Sequence, residues 1–280
     1  MPAHAVIVSA LSLGALLAGG TEALAVGNPY DPAPGRVLER TLPGPAALRT
    51  LGTHGLQRAA SVNEVTASRL THLLEDRATR LSPGGRLYYA DVLPAAEAET
   101  TSGAEADTTN DSSSTVAQAP LDATFSLHSR PGSSHTIFLD FDGAAVSGTW
   151  WNDRSGGGLA STDVAAFSLD GDRTSFNDDE RRRIQDVWAR VAEDYAPFDV
   201  DVTTAQPAAG GLSRTSSTDP TYGTRVLFAP GTAVAGTLCG GDCAGIAWMD
   251  VFDRSGSNPG PAWVFADLTN KSGFQLAEVA

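Results

Sequence analysis

The chain has 280 residues and carries 33 acidic against 19 basic side chains, a formal net charge of −14 at pH 7. Such a charge repels phosphate backbones and anionic headgroups, so we expect no nucleic-acid partner and no electrostatic attachment to a membrane. Every Phe and Trp lies at or after Phe125, so we expect the large hydrophobic core in the second half of the chain.

The N-terminus has the pattern of an export signal. An apolar run over residues 5–20 is followed by small residues at Ala23 and Ala25, which fit a cleavage site. The run is shorter than the roughly 20 apolar residues that a spanning helix needs. We predict that residues 1–25 are a signal peptide and that the protein is secreted, with no membrane partner after signal removal.

Two further segments precede the main domain. Residues 26–94 contain one predicted amphipathic helix, about Ser61 to Leu81, and are interpreted as a small pro-region. Residues 95–120 are rich in Ala, Ser, Thr and acidic residues and have no aromatics, which predicts a disordered acidic linker. Residues 121–280 then form the main domain.

From Phe125 onward, predicted strands alternate with helices. A helix is predicted over residues 177–198, where Asn177 and Glu180 match a capping box and Pro197 ends the pattern. The predicted strands cover residues 135–143, 199–204, 223–230, 244–253 and 261–268. This order predicts an α/β fold with a mixed sheet.

The chain ends on another predicted helix. Ser272 and Gln275 match a capping box, and Leu276, Val279 and Ala280 form an apolar stripe. No Gly, Pro or basic residue follows as a stop signal, and a helix of about two turns is too short to be stable alone. We therefore expect this helix to be cut short at Ala280.

The two cysteines, Cys239 and Cys243, are close in sequence. In an exported protein, we expect them to form a disulfide that closes a tight glycine-bearing loop. A metal pair is the alternative, but two Cys with no His nearby are too few ligands for a closed zinc site.

The segment that ends in Asp140 and Asp142 has two interpretations. An apolar strand leading to two such carboxylates resembles the first motif of haloacid-dehalogenase-type phosphatases, with Asp140 as nucleophile and Asp142 as acid/base. That class needs a later Lys and a further acidic motif, and Lys271 is the only later Lys. The alternative is that the two carboxylates hydrogen-bond a loop or hold a calcium ion.

Asp170 and Asp172 occupy the first and third positions of a loop like that of an EF-hand. The pattern then fails, because Ser175 stands where Gly is required and Arg181 stands where a bidentate Glu is required. An irregular calcium site at Asp170 and Asp172 is one interpretation, and a turn that runs into a capped helix is the other. None of the five histidines forms H-E-x-x-H, so the sequence contains no complete catalytic site.

Four longer segments carry a family resemblance that covers about residues 85–280. They are FSLHSRPGSSHTIFLDFDGAAVSGTWWN, IQDVWARVAEDYAPFDVDVTT, GIAWMDVFD and PAWVFADL. Together they resemble the front of the catalytic domain in secreted actinobacterial zinc metallopeptidases of the reprolysin-like, metzincin-type group. The resemblance implies a metzincin-like N-terminal subdomain, a zinc cofactor, and a protein or peptide substrate. We expect the protein to act as a monomer.

The resemblance also implies where the site would lie. In that family a helix like FQLAEVA continues into H-E-x-x-H-x-x-G-x-x-H, which places every zinc ligand and the general base after Ala280, so we expect the chain up to Ala280 to be inactive. The edge strand beside the cleft would pair with extended substrate and comprise Gly245, Ile246, Ala247 and Trp248. Trp248 has an equally good interpretation as a core residue.

Two other function classes stay open. A secreted binding module or pseudoenzyme would use the disulfide loop and the exposed strand as its recognition surface, and a phosphatase would use Asp140 and Asp142. If the pro-region keeps an enzyme latent, it does so by steric or carboxylate blockade, because no Cys precedes Cys239 to act as a cysteine switch.

Overall fold

The computed structural model describes residues 35–92 and 119–280. The predicted signal peptide and nearly all of the predicted linker lie outside these residues. None of the helices in the described parts is both long and apolar enough to cross a membrane.

The described residues form ten strands and several helices. The strands are β1 (Leu42–Pro43), β2 (Thr79–Leu81), β3 (Leu87–Val92), β4 (His135–Asp140), β5 (Ala144–Val146), β6 (Thr162–Val164), β7 (Asp201–Thr203), β8 (Tyr222–Ala229), β9 (Cys243–Trp248) and β10 (Ala262–Phe265). The α-helices are α1 (Gly44–Thr50), α2 (Thr53–Val62), α3 (Ala67–Leu73), α4 (Asp178–Asp194), α5 (Thr232–Cys239) and α6 (Gly273–Val279). Short 3₁₀ helices span Leu121–Ser126 and Ala266–Leu268.

Eight of these strands form one mixed sheet in the order β1-β2-β3-β9-β10-β8-β4-β7. Strands β7, β4, β8 and β10 run parallel to one another, whereas β9 runs antiparallel to β10. Strands β1, β2 and β3 extend the sheet beyond β9 in antiparallel fashion. The prediction of an α/β fold with a mixed sheet is therefore confirmed, and the predicted pro-region contributes three strands to the sheet.

The two faces of the sheet bury different cores. Helices α4 and α6 pack together on one face, where β4 contributes Ile137 and Leu139. The other face buries an aromatic core of Tyr88, Trp151, Trp248, Trp263 and Phe265, with aliphatic residues around them. A third core, made of Leu and Ala side chains, lies among α1, α2, α3 and β2.

The predicted helix from Ser61 to Leu81 is wrong. Helix α2 ends at Val62, and Glu64 takes a left-handed backbone conformation with φ of 56° that interrupts the helix. The Thr66 side chain then accepts a hydrogen bond from the backbone N–H of Arg69 and starts α3 as a new helix. The predicted range ends in strand β2. The helical spacing of apolar residues therefore misled the prediction, because it extends over the two non-helical connections on either side of α3.

Both predicted helix caps are found, one of them in altered form. Asn177 and Glu180 form the complete capping box of α4, which ends three residues before Pro197. At α6, the hydroxyl of Ser272 accepts from the backbone N–H of Gln275, as predicted. The Gln275 side chain, however, accepts from the backbone N–H of Asn270, so it ties the preceding turn to the helix.

Replacement of Glu180 by Ala should cost about 3 kcal/mol of unfolding free energy. Glu180 is buried, and its carboxylate accepts from the backbone N–H groups of Leu169 (2.8 Å) and Asn177 (2.9 Å) and lies 2.9 Å from the hydroxyl of Ser168. Urea unfolding measures the loss. Glu193→Ala, an exposed change on the same helix, is the control and should stay within about 0.5 kcal/mol of the parent. Equal losses in the two variants would contradict the role given to Glu180.

Candidate functional site

The residues of the predicted edge strand lie in β9, but β9 is not at an edge of the eight-stranded sheet, because it lies between β10 and β3. If residues 119–280 are taken alone, β9 lies at one edge of their sheet. That edge pairs antiparallel with β3 of the N-terminal segment, residues 35–92. The paired residues are Tyr88 with Trp248, Tyr89 with Ala247, Ala90 with Ile246, and Asp91 with Gly245. The strand ends at Trp248, five residues before the predicted end. The edge of β9 is thus a surface that binds an extended segment through backbone pairing.

Gly245 allows helix α6 to approach this strand. A Cβ atom at Gly245 would overlap Cγ1 of Val279 on α6 and lie 2.7 Å from the carbonyl oxygen of Trp263 on β10. Because any other side chain would collide there, the sequence places glycine where the helix crosses the edge strand. The C-terminal end of α6 therefore lies next to β9.

The opposite face of β9 carries an aromatic cluster. The ring of Trp248 stacks on Trp151 with centroids 4.2 Å apart, and Tyr88 from β3 meets it edge-on at 5.3 Å. Tyr88 also meets Trp151 edge-on at 5.5 Å. Trp248 is buried, as its interpretation as a core residue predicts. It also lines the pocket that the Tyr88 side chain occupies. Its indole N–H is buried without a hydrogen-bond partner among the described residues.

The hydroxyl of Tyr88 makes a hydrogen bond that crosses from the N-terminal segment to the main domain. It donates to the carbonyl oxygen of Leu238, at the end of α5, over 2.9 Å. Burial raises the pKa of Tyr88 to about 12, so the phenol stays protonated and keeps this donor throughout the neutral range. Tyr88 was not among the predicted site residues. The one signal was the alternation in LYYADV, which places Tyr88 and Ala90 on one face of a strand.

The predicted disulfide is present and borders this cluster. Cys239 and Cys243 are bonded, with their Cα atoms 6.2 Å apart. The intervening Gly240 and Gly241 have φ of 78° and 87°, values that glycine adopts without strain. The bond joins the end of α5 to the start of β9, so it fixes the position of the Leu238 carbonyl relative to the edge strand.

Asp140 and Asp142 lie at the carboxyl end of β4, away from the edge of β9. Asp140 is buried, its carboxylate accepts from the backbone N–H of Asp142 over 3.1 Å, and Nη1 of Arg225 lies 3.4 Å from it. Burial raises the pKa of Asp140 to about 6, an effect that Arg225 and the Asp142 N–H partly oppose, and burial also raises the pKa of Asp142. This arrangement matches the interpretation in which the carboxylate holds a loop. The phosphatase interpretation remains a prediction, and phosphate release that is lost in Asp140→Asn would test it.

The raised pKa of Asp140 predicts a fall in stability as pH rises. In the unfolded chain the Asp140 carboxyl has the ordinary pKa of an aspartate, 3.8, whereas in the folded protein it keeps its proton up to about pH 6. Between about pH 4 and pH 6 the folded state therefore loses roughly 3 kcal/mol relative to the unfolded state from this group. Asp140→Asn should flatten the fall, measured by urea unfolding at pH 4, 5.5 and 7. A variant with the parent slope would contradict the assignment to Asp140.

Asp170 and Asp172 lie in the turn before α4. The carboxylate of Asp170 accepts from the backbone N–H of Asp172, the hydroxyl of Ser168 and the amide of Asn177. Asp172 accepts from the hydroxyl and the backbone N–H of Thr174. These hydrogen bonds lower the pKa of both carboxyl groups. The contacts are those of a turn that runs into a capped helix, and calcium binding here remains a prediction.

Potential metal-ligating side chains are not clustered in the part of the chain that the structure describes. No group of three or more His, Cys, Asp or Glu side chains in residues 35–92 and 119–280 is arranged to hold a metal ion. The zinc that the resemblance implies remains a prediction, and no catalytic step is assigned to zinc on these residues. Comparisons of the chain with protein-family models, curated proteins and solved structures find no match.

Proposed function

We propose that residues 119–280 form the N-terminal part of the catalytic domain of a secreted, zinc-dependent endopeptidase of the metzincin type. One observation carries the proposal. The edge strand β9 runs antiparallel to its neighbour in a largely parallel subsheet, and an extended segment pairs with it. A peptidase needs such a strand, because cleavage of a polypeptide requires its backbone to be held extended.

The path of the chain after β9 also supports the proposal. Strand β10 pairs with β9 and leads through a short turn to Ser272, which caps α6. Helix α6 passes next to the edge strand at Gly245, so residues that follow Ala280 would emerge beside the peptide-binding edge. In this proposal the described residues bind and orient the substrate, and the zinc ligands follow α6.

The proposal is tested with the natural secreted product, including whatever the codons after Ala280 encode. An H-E-x-x-H-x-x-G-x-x-H within about the next dozen codons is expected. The product should cleave an unfolded protein substrate, lose this activity with a zinc chelator and regain it when zinc is returned. A variant with Gln for the Glu of that motif is the matched control and should be inactive.

A secreted binding module is the second candidate, and the same observation favours it. Strand addition at β9 binds a peptide whether or not hydrolysis follows. A secreted product that binds peptides at this edge but shows no zinc-dependent cleavage would establish the binding module and overturn the peptidase.

A further inference from the structure

We infer that the edge of β9 selects extended peptides that place a tyrosine against Trp151 and Trp248. The segment Leu87–Asp91 is then the built-in occupant of this subsite. The inference rests on the proposed function, to which it adds a class of substrate, namely tyrosine-bearing segments in extended conformation.

The backbone of β3 shows how such a peptide lies. Strand β3 runs antiparallel to β9 in register from Tyr88 to Asp91, and the backbone N–H of Met249 continues the pairing by donating to the carbonyl of Leu87 over 3.1 Å. These bonds use only main-chain groups, so any extended segment can form them. They supply affinity without choosing a sequence.

The preference for a particular peptide sequence comes from the side chains that face the aromatic cluster. Tyr88 is 1% exposed, whereas its neighbour Tyr89 is 46% exposed on the other face of the same strand. Ala90 returns to the buried face. Two adjacent tyrosines thus have opposite surroundings: the side chain of Tyr88 is enclosed by the aromatic core, as is that of Ala90, whereas the side chain of Tyr89 is not.

The subsite fits tyrosine better than the other aromatic residues. The Tyr88 ring lies beside the stacked rings of Trp151 and Trp248 and roughly perpendicular to both, an arrangement that any aromatic ring of this size can adopt. The carbonyl of Leu238 then requires a donor at the para position, which Phe lacks. Loss of that donor is expected to weaken binding about tenfold.

The N-terminal segment is built as a separable occupant. It has its own core around Leu70, Leu74 and Leu81, and residues 93–118 connect it to the rest of the chain. Ala90 also enters the aromatic core, and Met249 of residues 119–280 packs against the core of the segment. Nearer the surface, the exposed carboxylate of Glu64 pairs with Arg254 at 2.8 Å. Tyr88 is the buried side chain that anchors the segment. Because residues 93–118 join the segment covalently to residues 119–280, the segment has a roughly millimolar effective concentration at the edge of β9.

The first experiment measures binding of a labelled peptide with the sequence of residues 85–92, GRLYYADV, to the full chain. Tyr88→Ala removes the anchor and should open the subsite, so this variant should bind the peptide at least tenfold more tightly than the parent. Tyr89→Ala is the matched control and should bind like the parent. In the peptide, Phe at the first tyrosine should weaken binding to the Tyr88→Ala chain about tenfold, and Ala at the second tyrosine should not.

A second measurement covers the case in which Tyr88→Ala does not fold. A specific protease site placed within residues 93–118 is cut, and dissociation of the N-terminal segment is followed by size-exclusion chromatography. Tyr88→Phe should speed dissociation about tenfold, and Tyr89→Phe should not. Equal rates for these two variants, or equal binding of the two substituted peptides, would overturn the inference.

These measurements are made with a chelator present, so they do not depend on hydrolysis. A product that selects tyrosine but fails to cleave protein would overturn the proposed peptidase and support the inference. A product that cleaves protein with zinc but shows no preference for tyrosine at β9 would support the proposed peptidase and overturn the inference.

Discussion

Gly245→Val is expected to destabilise the protein by about 3 kcal/mol or more. The added Cβ would overlap Val279 on α6 and lie 2.7 Å from the carbonyl oxygen of Trp263 on β10, so either the helix or the sheet must move. The β-branched side chain adds two further methyl groups to the same space. Urea unfolding measures the loss of stability. Faster hydrogen exchange of the α6 amides would show that the helix, rather than the sheet, has moved.

Gly236→Ala is the control for this prediction. Gly236 lies on the exposed side of α5, and a Cβ there would meet nothing within 4 Å. Alanine is the better helix former by about 1 kcal/mol, so this variant should equal or exceed the parent in stability. A loss in Gly236→Ala as large as that in Gly245→Val would mean that any change of glycine is harmful, and the steric argument for Gly245 would fail.

Local patterns predicted the elements that have strong local signals. Strand β4 contains the apolar run of Ile137, Phe138 and Leu139, and α4 combines a one-sided apolar stripe with a capping box. Both were predicted correctly because propensity, pattern and capping all favour the same structure there. Predicted strands were found at each of the five places, with ends that differ by several residues at β9.

Helix α5 was not predicted. Its sequence, TAVAGTLC, consists of small and apolar residues with a glycine, so it shows no one-sided pattern. Contacts of Ala235 and Leu238 with the aromatic core, and the disulfide that follows, hold it in place. A helix stabilised chiefly by tertiary packing leaves little signal in its own sequence.

The candidate site was predicted in part. Resemblance identified Gly245 to Trp248 as an edge strand, and the structure places a strand there. The pairing with β3 was not predicted, because it joins segments about 150 residues apart and no local pattern specifies a partner at such a distance. Alternation in LYYADV places Tyr88 and Tyr89 on opposite faces of a strand, but the pairing with β9 decides which face is buried, so the tyrosine subsite became visible only in the folded chain.

Trp151→Ala is expected to cost about 3–5 kcal/mol, close to the whole stability of many domains. Trp151 is fully buried, its ring stacks on Trp248 at 4.2 Å, and its indole N–H donates to the carbonyl of Pro261 over 2.8 Å. Its removal leaves a cavity behind Tyr88, so amides of β3 should exchange hydrogen faster while those of α4 stay protected.

Trp150→Ala provides the matched comparison, because it removes the same side chain at the next position. Trp150 is half-buried, meets Trp248 edge-on at 5.8 Å and lies under the guanidinium of Arg86 at 3.7 Å. This variant should lose about 1–2 kcal/mol and keep the subsite intact. Equal losses and equal exchange of β3 in the two variants would mean that Trp151 does not form the wall behind Tyr88. A larger loss in Trp151→Ala, with faster exchange of β3 confined to that variant, would instead show that the stability of the main domain and the binding of the N-terminal segment depend on the same buried ring.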